Sequence, residues 1–133
     1  MSKKIILESG KRKRAIAKAS LKSGKGVVTV NGTLLDLHEP KMSRLRIQEP
    51  LILAGPKANG VNVSIRVSGG GVTSQADAAR LALAKALAEN DNTLRQTFLD
   101  YDRQLLVADV RRRESRKPNN NSKARAKRQK SYR

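Results

Sequence analysis

The sequence predicts an α+β domain over residues 1–110 and an extended basic tail over 111–133. Three observations carry that reading. Val61, Val63, Ile65 and Val67 alternate with Asn62, Ser64 and Arg66, the period of a half-buried strand. Ala76 to Ala88 holds seven alanines with Leu81, Leu83 and Leu87, the composition of a helix packed closely on a sheet. All 30 Leu, Ile and Val residues lie between Ile5 and Val110, whereas 111–133 holds 11 basic residues and one acid, Glu114. A segment with so few apolar side chains cannot bury itself, so the tail is expected to be extended or disordered alone.

The elements follow in chain order. Ile5 to Leu7 is a short apolar run read as a strand, and Ser9-Gly10 is expected to break it. Lys11 to Arg14 then forms a basic connection. Ala15, Ala17, Ala19 and Leu21 share one face at period two, which reads as a strand, although the alanines leave helix open. Ser23 to Gly26 reads as a turn and Val27 to Val30 as a β-branched strand. Asn31-Gly32, between that strand and Thr33 to Leu37, is a hairpin signal because both turn positions need positive φ. Pro40 and Pro50 bracket a short segment, and Met42, Leu45 and Ile47 fit a helix there loosely. Leu51 to Ala54 is apolar and stops at Gly55-Pro56. After the Val61–Val67 strand and Gly69-Gly70-Gly71, Ser74 is the expected N-cap of the alanine helix. Leu94, Phe98 and Tyr101 have helical spacing over Thr93 to Tyr101, with Phe98 and Tyr101 read as core. Leu105 to Val110 is the last expected strand.

Composition narrows the function. The chain has 133 residues and a net charge of +18. Residues 1–110 hold 18 basic and 10 acidic residues, net +8, and the tail adds +10. Such self-repulsion is most simply explained by a polyanionic partner. Thirty aliphatic side chains, at roughly 2 kcal/mol each when buried, can fold a domain of about 100 residues. No apolar run approaches the ~18 residues that span a bilayer, so no membrane partner is expected. Cysteine is absent and His38 is the single histidine, which excludes thiol chemistry, thiolate metal sites and multi-histidine metal sites. Asp36 with Glu39 and Asp100 with Asp102 are close acidic pairs, better read as salt-bridge partners than as an acid–base pair in a cleft. No cofactor and no enzymatic activity are expected.

Three features point to nucleic acid. In the tail, Arg111, Arg112, Arg113, Arg116 and Lys117 form one basic block. Lys123, Arg125, Lys127, Arg128, Lys130 and Arg133 form another. Charge this dense binds phosphate by releasing counterions, and Arg also forks onto phosphate through two hydrogen bonds. Fully extended, the tail would reach roughly 75 Å. The second feature is the cluster Lys11, Arg12, Lys13 and Arg14. The third is Gly69, Gly70 and Gly71 before a helix, which is either a backbone nest for phosphate or a tight turn needing close approach. The nucleotide-binding pattern Gly-x-x-x-x-Gly-Lys-Ser/Thr is absent. With so few aromatics the expected mode is recognition of shape and phosphate rather than base stacking, and Tyr132 alone is placed to stack on a base or ribose.

The glycine loop and its helix are also specific in detail. Gly69-Gly70-Gly71-Val72-Thr73-Ser74-Gln75-Ala76-Asp77-Ala78-Ala79-Arg80, continuing to Leu87, resembles the signature of the ninth small-subunit ribosomal protein family, the S-nine family. Gly10-Lys11-Arg12-Lys13 and Val28-Thr29-Val30-Asn31-Gly32 resemble further parts of it. Glu49-Pro50-Leu51-Ile52-Leu53-Ala54-Gly55, Tyr101-Asp102-Arg103 and the ending Arg125 to Arg133 resemble its archaeal and eukaryotic branch, on the archaeal side. The resemblance covers nearly the whole chain, although Asn119-Asn120-Asn121-Ser122 departs from the usual tail spacer. It implies a fold like the second domain of ribosomal S-five proteins, a sheet with helices on one face. It implies a cytoplasmic, structural protein of the small ribosomal subunit, bound to the 3′ major domain of its rRNA in the head beside neighbouring head proteins. The tail would run through RNA to the peptidyl site. There Lys130, Ser131, Tyr132 and Arg133 would meet the anticodon stem-loop of tRNA. Composition alone leaves a free-standing histone-like nucleic-acid-binding protein as the rival.

Overall fold

Two long strands open the chain. β1 (Ile6–Arg12) and β2 (Ala15–Ser23) form an antiparallel hairpin, with Ile6 opposite Leu21 and Arg12 opposite Ala15. The description comes from a computed structural model and covers residues 4–119 and 124–125. Ser9-Gly10 does not break β1. Gly10 faces inward against the long helix, where a Cβ would lie 2.4 Å from the Ala78 carbonyl oxygen and 2.8 Å from the Ala82 nitrogen. The glycine is there for close approach, so the expected break is corrected to a continuous strand. Lys11 and Arg12 thereby belong to β1, and Lys13-Arg14 alone make the turn, with Lys13 at φ 54°.

β3 (Val28–Val30) and β4 (Thr33–Leu34) form the expected hairpin, with Asn31 at φ 51° and Gly32 at φ 84°. The Asn31 side chain also joins the sheet, accepting from the Val67 nitrogen at 2.8 Å and donating to the Val67 oxygen at 3.3 Å. β5 (Val61–Ser68) lies between β2, to which it is antiparallel, and β3, to which it is parallel. The mixed sheet has the order β1-β2-β5-β3-β4.

Period two sorts this sheet into two faces. Ala15, Ala17, Ala19, Leu21, Val61, Val63 and Ile65 are buried. They form one core with the alanines of α2 (Val72–Asn90), with Ile47 and Ala54 of α1 (Lys41–Ala54), and with Leu94 and Phe98 of α3 (Thr93–Tyr101). The alanines let α2 lie close to β1 and β2, as its composition predicts.

Four further expectations change. Pro50 lies inside α1 instead of ending it. A proline costs a helix interior about 3 kcal/mol, and here the burial of Pro50 and Ala54 opposes that cost. Ser74 does not cap α2, because Gly71 holds the N-cap position and its carbonyl accepts from the Gln75 nitrogen at 2.9 Å. Tyr101 is 57% exposed, since Leu94 and Phe98 fill the core and the last turn of α3 projects past them. Leu105 to Val110 is not a strand. The backbone N–H groups of Leu105, Leu106 and Val107 donate to Asp102 and Arg103 carbonyls, and Arg103–Leu105 is a 3-10 turn that buries Leu105.

Candidate nucleic-acid interface

The β1–β2 turn and the glycine loop are far apart in sequence and touch in the fold. Gly69 and Gly70 have φ of 76° and 65°. A Cβ on Gly69 would lie 2.6 Å from the Arg14 carbonyl oxygen, and one on Gly70 would lie 2.9 Å from the Ala15 nitrogen. These two glycines are therefore required by conformation and by close approach. Gly71 has open space around it. The Gln75 side chain steadies the loop by donating to the Gly69 carbonyl at 3.1 Å. The first turn of α2 then faces outward with no side-chain cap and no acid in it. Its free N–H groups carry the positive end of the helix dipole. Beside it Lys13 and Arg14 are exposed and, among the described residues, without an ion-pair partner.

The root of the tail joins the same end. Asp109 forms an ion pair with Arg12 of β1 and a second with Arg111, whose Nη2 lies 3.1 Å from Oδ2. The Arg111 backbone N–H also donates to Asp109 at 2.8 Å. Arg12 is thus spent on positioning and is half-buried, whereas Lys11 remains exposed. Asp77 is engaged in turn by Arg46 of α1 and lies 3.9 Å from Arg12. A cleft of about 220 Å³ opens here, lined by Lys11, Arg12, Arg46, Asp77, Arg80 and Arg111 among others. The acids of this end, Asp77 and Asp109, are engaged by Arg46, Arg12 and Arg111, and among the described residues the turn cations Lys13 and Arg14 are left without an ion-pair partner.

Arg112, Arg113, Arg116 and Lys117 follow in exposed coil. Arg125 sits on Glu114, with Nη2 2.6 Å from Oε1. That guanidinium holds the Glu114 carboxyl below its ordinary value. Lys123, Lys127, Arg128, Lys130, Ser131, Tyr132 and Arg133 lie outside the described residues.

Two features escaped the sequence reading. Arg80 of α2 is buried and binds Glu49 and Asp102, so Asp102 is a salt-bridge partner as expected, whereas Asp36, Glu39 and Asp100 form no ion pair among the described residues. Lys18 and Arg66 stand on the uncovered face of the sheet. Their signal was present in the outward half of each alternating strand.

A family model described as ribosomal protein S9/S16 matches residues 10–133. Small ribosomal subunit protein uS9 of Thermoplasma volcanium is 48% identical over 130 residues, covering 96% of this chain and 98% of its own length. A protein of the same name from Methanococcus maripaludis is 49% identical over 133 residues, covering 98% of this chain and 99% of its own length. With the family model matched from the β1 strand to the last residue, the chain belongs to the S9/S16 family of ribosomal proteins.

Proposed function

We propose that the chain anchors its domain, residues 1–110, on small-subunit rRNA in the head of the subunit and sends its tail, residues 111–133, toward the peptidyl site. Membership of the family makes the protein a structural component of the ribosome and not an enzyme. Among the described residues, no helix is long and apolar enough to cross a membrane. The observation that carries the finer reading is the convergence at one end of the domain. The turn cations Lys13 and Arg14, the uncapped start of α2 at Gly69 to Gly71, and the root of the tail at Arg111 stand together. A phosphate could accept from the α2 backbone while the neighbouring cations neutralise it, as anions do at helix N-termini.

From that end, Arg111, Arg112, Arg113, Arg116, Lys117, Lys123, Arg125, Lys127 and Arg128 would follow RNA phosphates, and Arg125 would exchange Glu114 for phosphate. Neighbouring head proteins would adjoin the domain. Lys130, Ser131, Tyr132 and Arg133 would reach the anticodon stem-loop of the tRNA, with Arg133 clamping its phosphates without reading sequence. The setting would be the cytoplasmic ribosome, and a histone-like protein acting alone finds no support in the family match.

Deleting residues 130–133 tests the tail. Assembly of the subunit is expected to stay near normal. Peptidyl-site tRNA affinity is expected to fall about tenfold, the loss of one charge-assisted hydrogen bond. Filter binding of tRNA to purified subunits at matched salt reads it. Equal retention by truncated and intact subunits would refute the tRNA contact and leave the anchoring of the domain standing.

A further inference from the structure

The second face of the sheet carries a charge pattern that the convergence of turn, glycine loop and tail does not use. Helices cover the face bearing Ala17, Ala19, Val63 and Ile65. Among the described residues the opposite face is uncovered, and Lys18 of β2 stands directly opposite Arg66 of β5 in the antiparallel register. Both are exposed, and neither has an acidic partner among the described residues. Side chains paired in this way have Cβ atoms ~5 Å apart, and like charges there oppose folding.

The surroundings sharpen the pattern. The outward positions of β1, β2 and β5 include Lys11, Lys22 and four serines, and no acid. Lys22 lies about 13 Å along β2 from Lys18, at roughly 3.3 Å per residue. The face has no aromatic residue, so it cannot serve as a stacking platform for bases. Short hydroxyls beside unpaired cations are suited instead to phosphate oxygens.

We propose that this open sheet face, centred on the Lys18–Arg66 pair, is a second docking surface for an RNA backbone, separate from the end of the domain that carries Arg14, the glycine loop and the tail root. It rests on the ribosomal reading and extends it to residues that reading leaves unassigned. A polyanion relieves the opposition between the two cations, so their cost in the free protein becomes binding energy in the complex. An acidic protein is the other possible occupant. RNA is favoured because the cations are spread across two strands on a serine floor that carries no acid, whereas the exposed Leu7 and Ile16 of the same face are what a protein occupant would use.

The test compares two charge-matched double variants of the full chain. One is Lys18→Ala with Arg66→Ala. The other, Lys41→Ala with Arg95→Ala, removes two exposed cations from the helices. Each is titrated with small-subunit rRNA purified from Methanococcus maripaludis and refolded with magnesium, across a salt series. The sheet pair is expected to lose about tenfold in affinity at 0.15 M salt and to lower the salt slope by about 2, one for each phosphate contact. The helix pair is expected to change affinity less than twofold. Lys18→Glu supplies the fold check, since it places opposite charges face to face. Its Tm is expected to rise by a few degrees while its affinity falls at least tenfold.

Equal losses in the two double variants would show a generic effect of charge and overturn the proposal. So would unchanged rRNA binding by the sheet variant with poor retention in assembled subunits, which would assign the face to a protein. If the unmodified chain binds this rRNA no better than duplex DNA of equal length, the proposed anchoring of the domain on rRNA itself fails. If it does bind rRNA preferentially and the sheet variant matches it, the sheet proposal alone fails.

Discussion

Gly10→Ala is expected to destabilise the isolated protein by about 2 kcal/mol, lowering Tm by roughly 10 °C. Two effects oppose one another here. Alanine in a strand interior is favoured over glycine by about 0.5–1 kcal/mol through the unfolded chain. Against that, the new methyl would lie 2.4 Å from the Ala78 carbonyl oxygen and 2.8 Å from the Ala82 nitrogen. These are backbone atoms of α2, which cannot rotate aside as a side chain can. Relief requires the helix to move off β1, and overpacking of that kind costs about 1–3 kcal/mol or more. The steric term therefore wins.

Gly60→Ala is the matched control. Nothing lies within 4 Å of a Cβ at Gly60, and its φ is not in the left-handed region. Its stability is expected to stay level or to rise by about 0.5 kcal/mol. Urea unfolding of both variants decides the matter. Equal midpoints for Gly10→Ala and Gly60→Ala would show that α2 does not press on β1 as described.

Gly10 also shows where sequence reading stops. Local rules see Ser9-Gly10 as punctuation, because glycine weakens a strand in isolation. Its partner atoms belong to a helix far along the chain, and no local pattern announces them. Pro50 fails for the same reason, since its cost to α1 is local and the burial that offsets it is tertiary. The strands with strict period two and the alanine helix were legible because solvent is on one side and the core on the other. Asn31-Gly32 was legible because its φ requirement is met within two residues. The last apolar run departs from the expected strand because apolar content does not reveal that three N–H groups are already used in a local turn.

The candidate interface divides in the same way. Which residues carry charge is plain in the sequence. Which charges remain available is a property of the fold. Arg12 looks equivalent to Lys13 and Arg14, yet Asp109 claims it. Lys18 and Arg66 look like ordinary solvent-facing residues until the β2–β5 register sets them opposite one another. Of the two readings of the glycine loop, close approach is the one its geometry bears out, and the phosphate nest stays part of the proposal. Gly69 and Gly70 are needed for close approach, while the helix start after Gly71 stays open.

Arg80→Met is expected to cost about 2 kcal/mol and to weaken the acid sensitivity of the fold. Arg80 reaches Glu49 of α1 through Nε at 2.8 Å and Asp102, after α3, through Nη2 at 3.0 Å. It thus ties three helices together from a position where only 7% of its side chain is exposed. Breaking a buried ion pair by removing one partner costs about 3–5 kcal/mol. The value here is smaller because the Glu49 and Asp102 side chains are 30% and 39% exposed and can regain water. Methionine also keeps most of the volume, so the cavity contribution is small. The Asp102 carboxyl is held below its ordinary value, first by the Gln104 backbone N–H and then by Arg80. A carboxyl depressed in the folded state stabilises the protein above its unfolded pKa of about 4, and that contribution is lost as pH falls through the lower folded value. Unmodified protein should therefore lose stability as pH drops below about 4, and Arg80→Met should lose less over the same interval because part of the stabilisation is already gone. The Gln104 hydrogen bond remains, so some acid dependence persists in the variant. Unfolding midpoints measured in urea at pH 7 and at pH 3 give the comparison. If the two proteins lose equal stability between those pH values, Arg80 does not hold Asp102 in its charged form, and the tie between α2 and the end of α3 is one of packing alone.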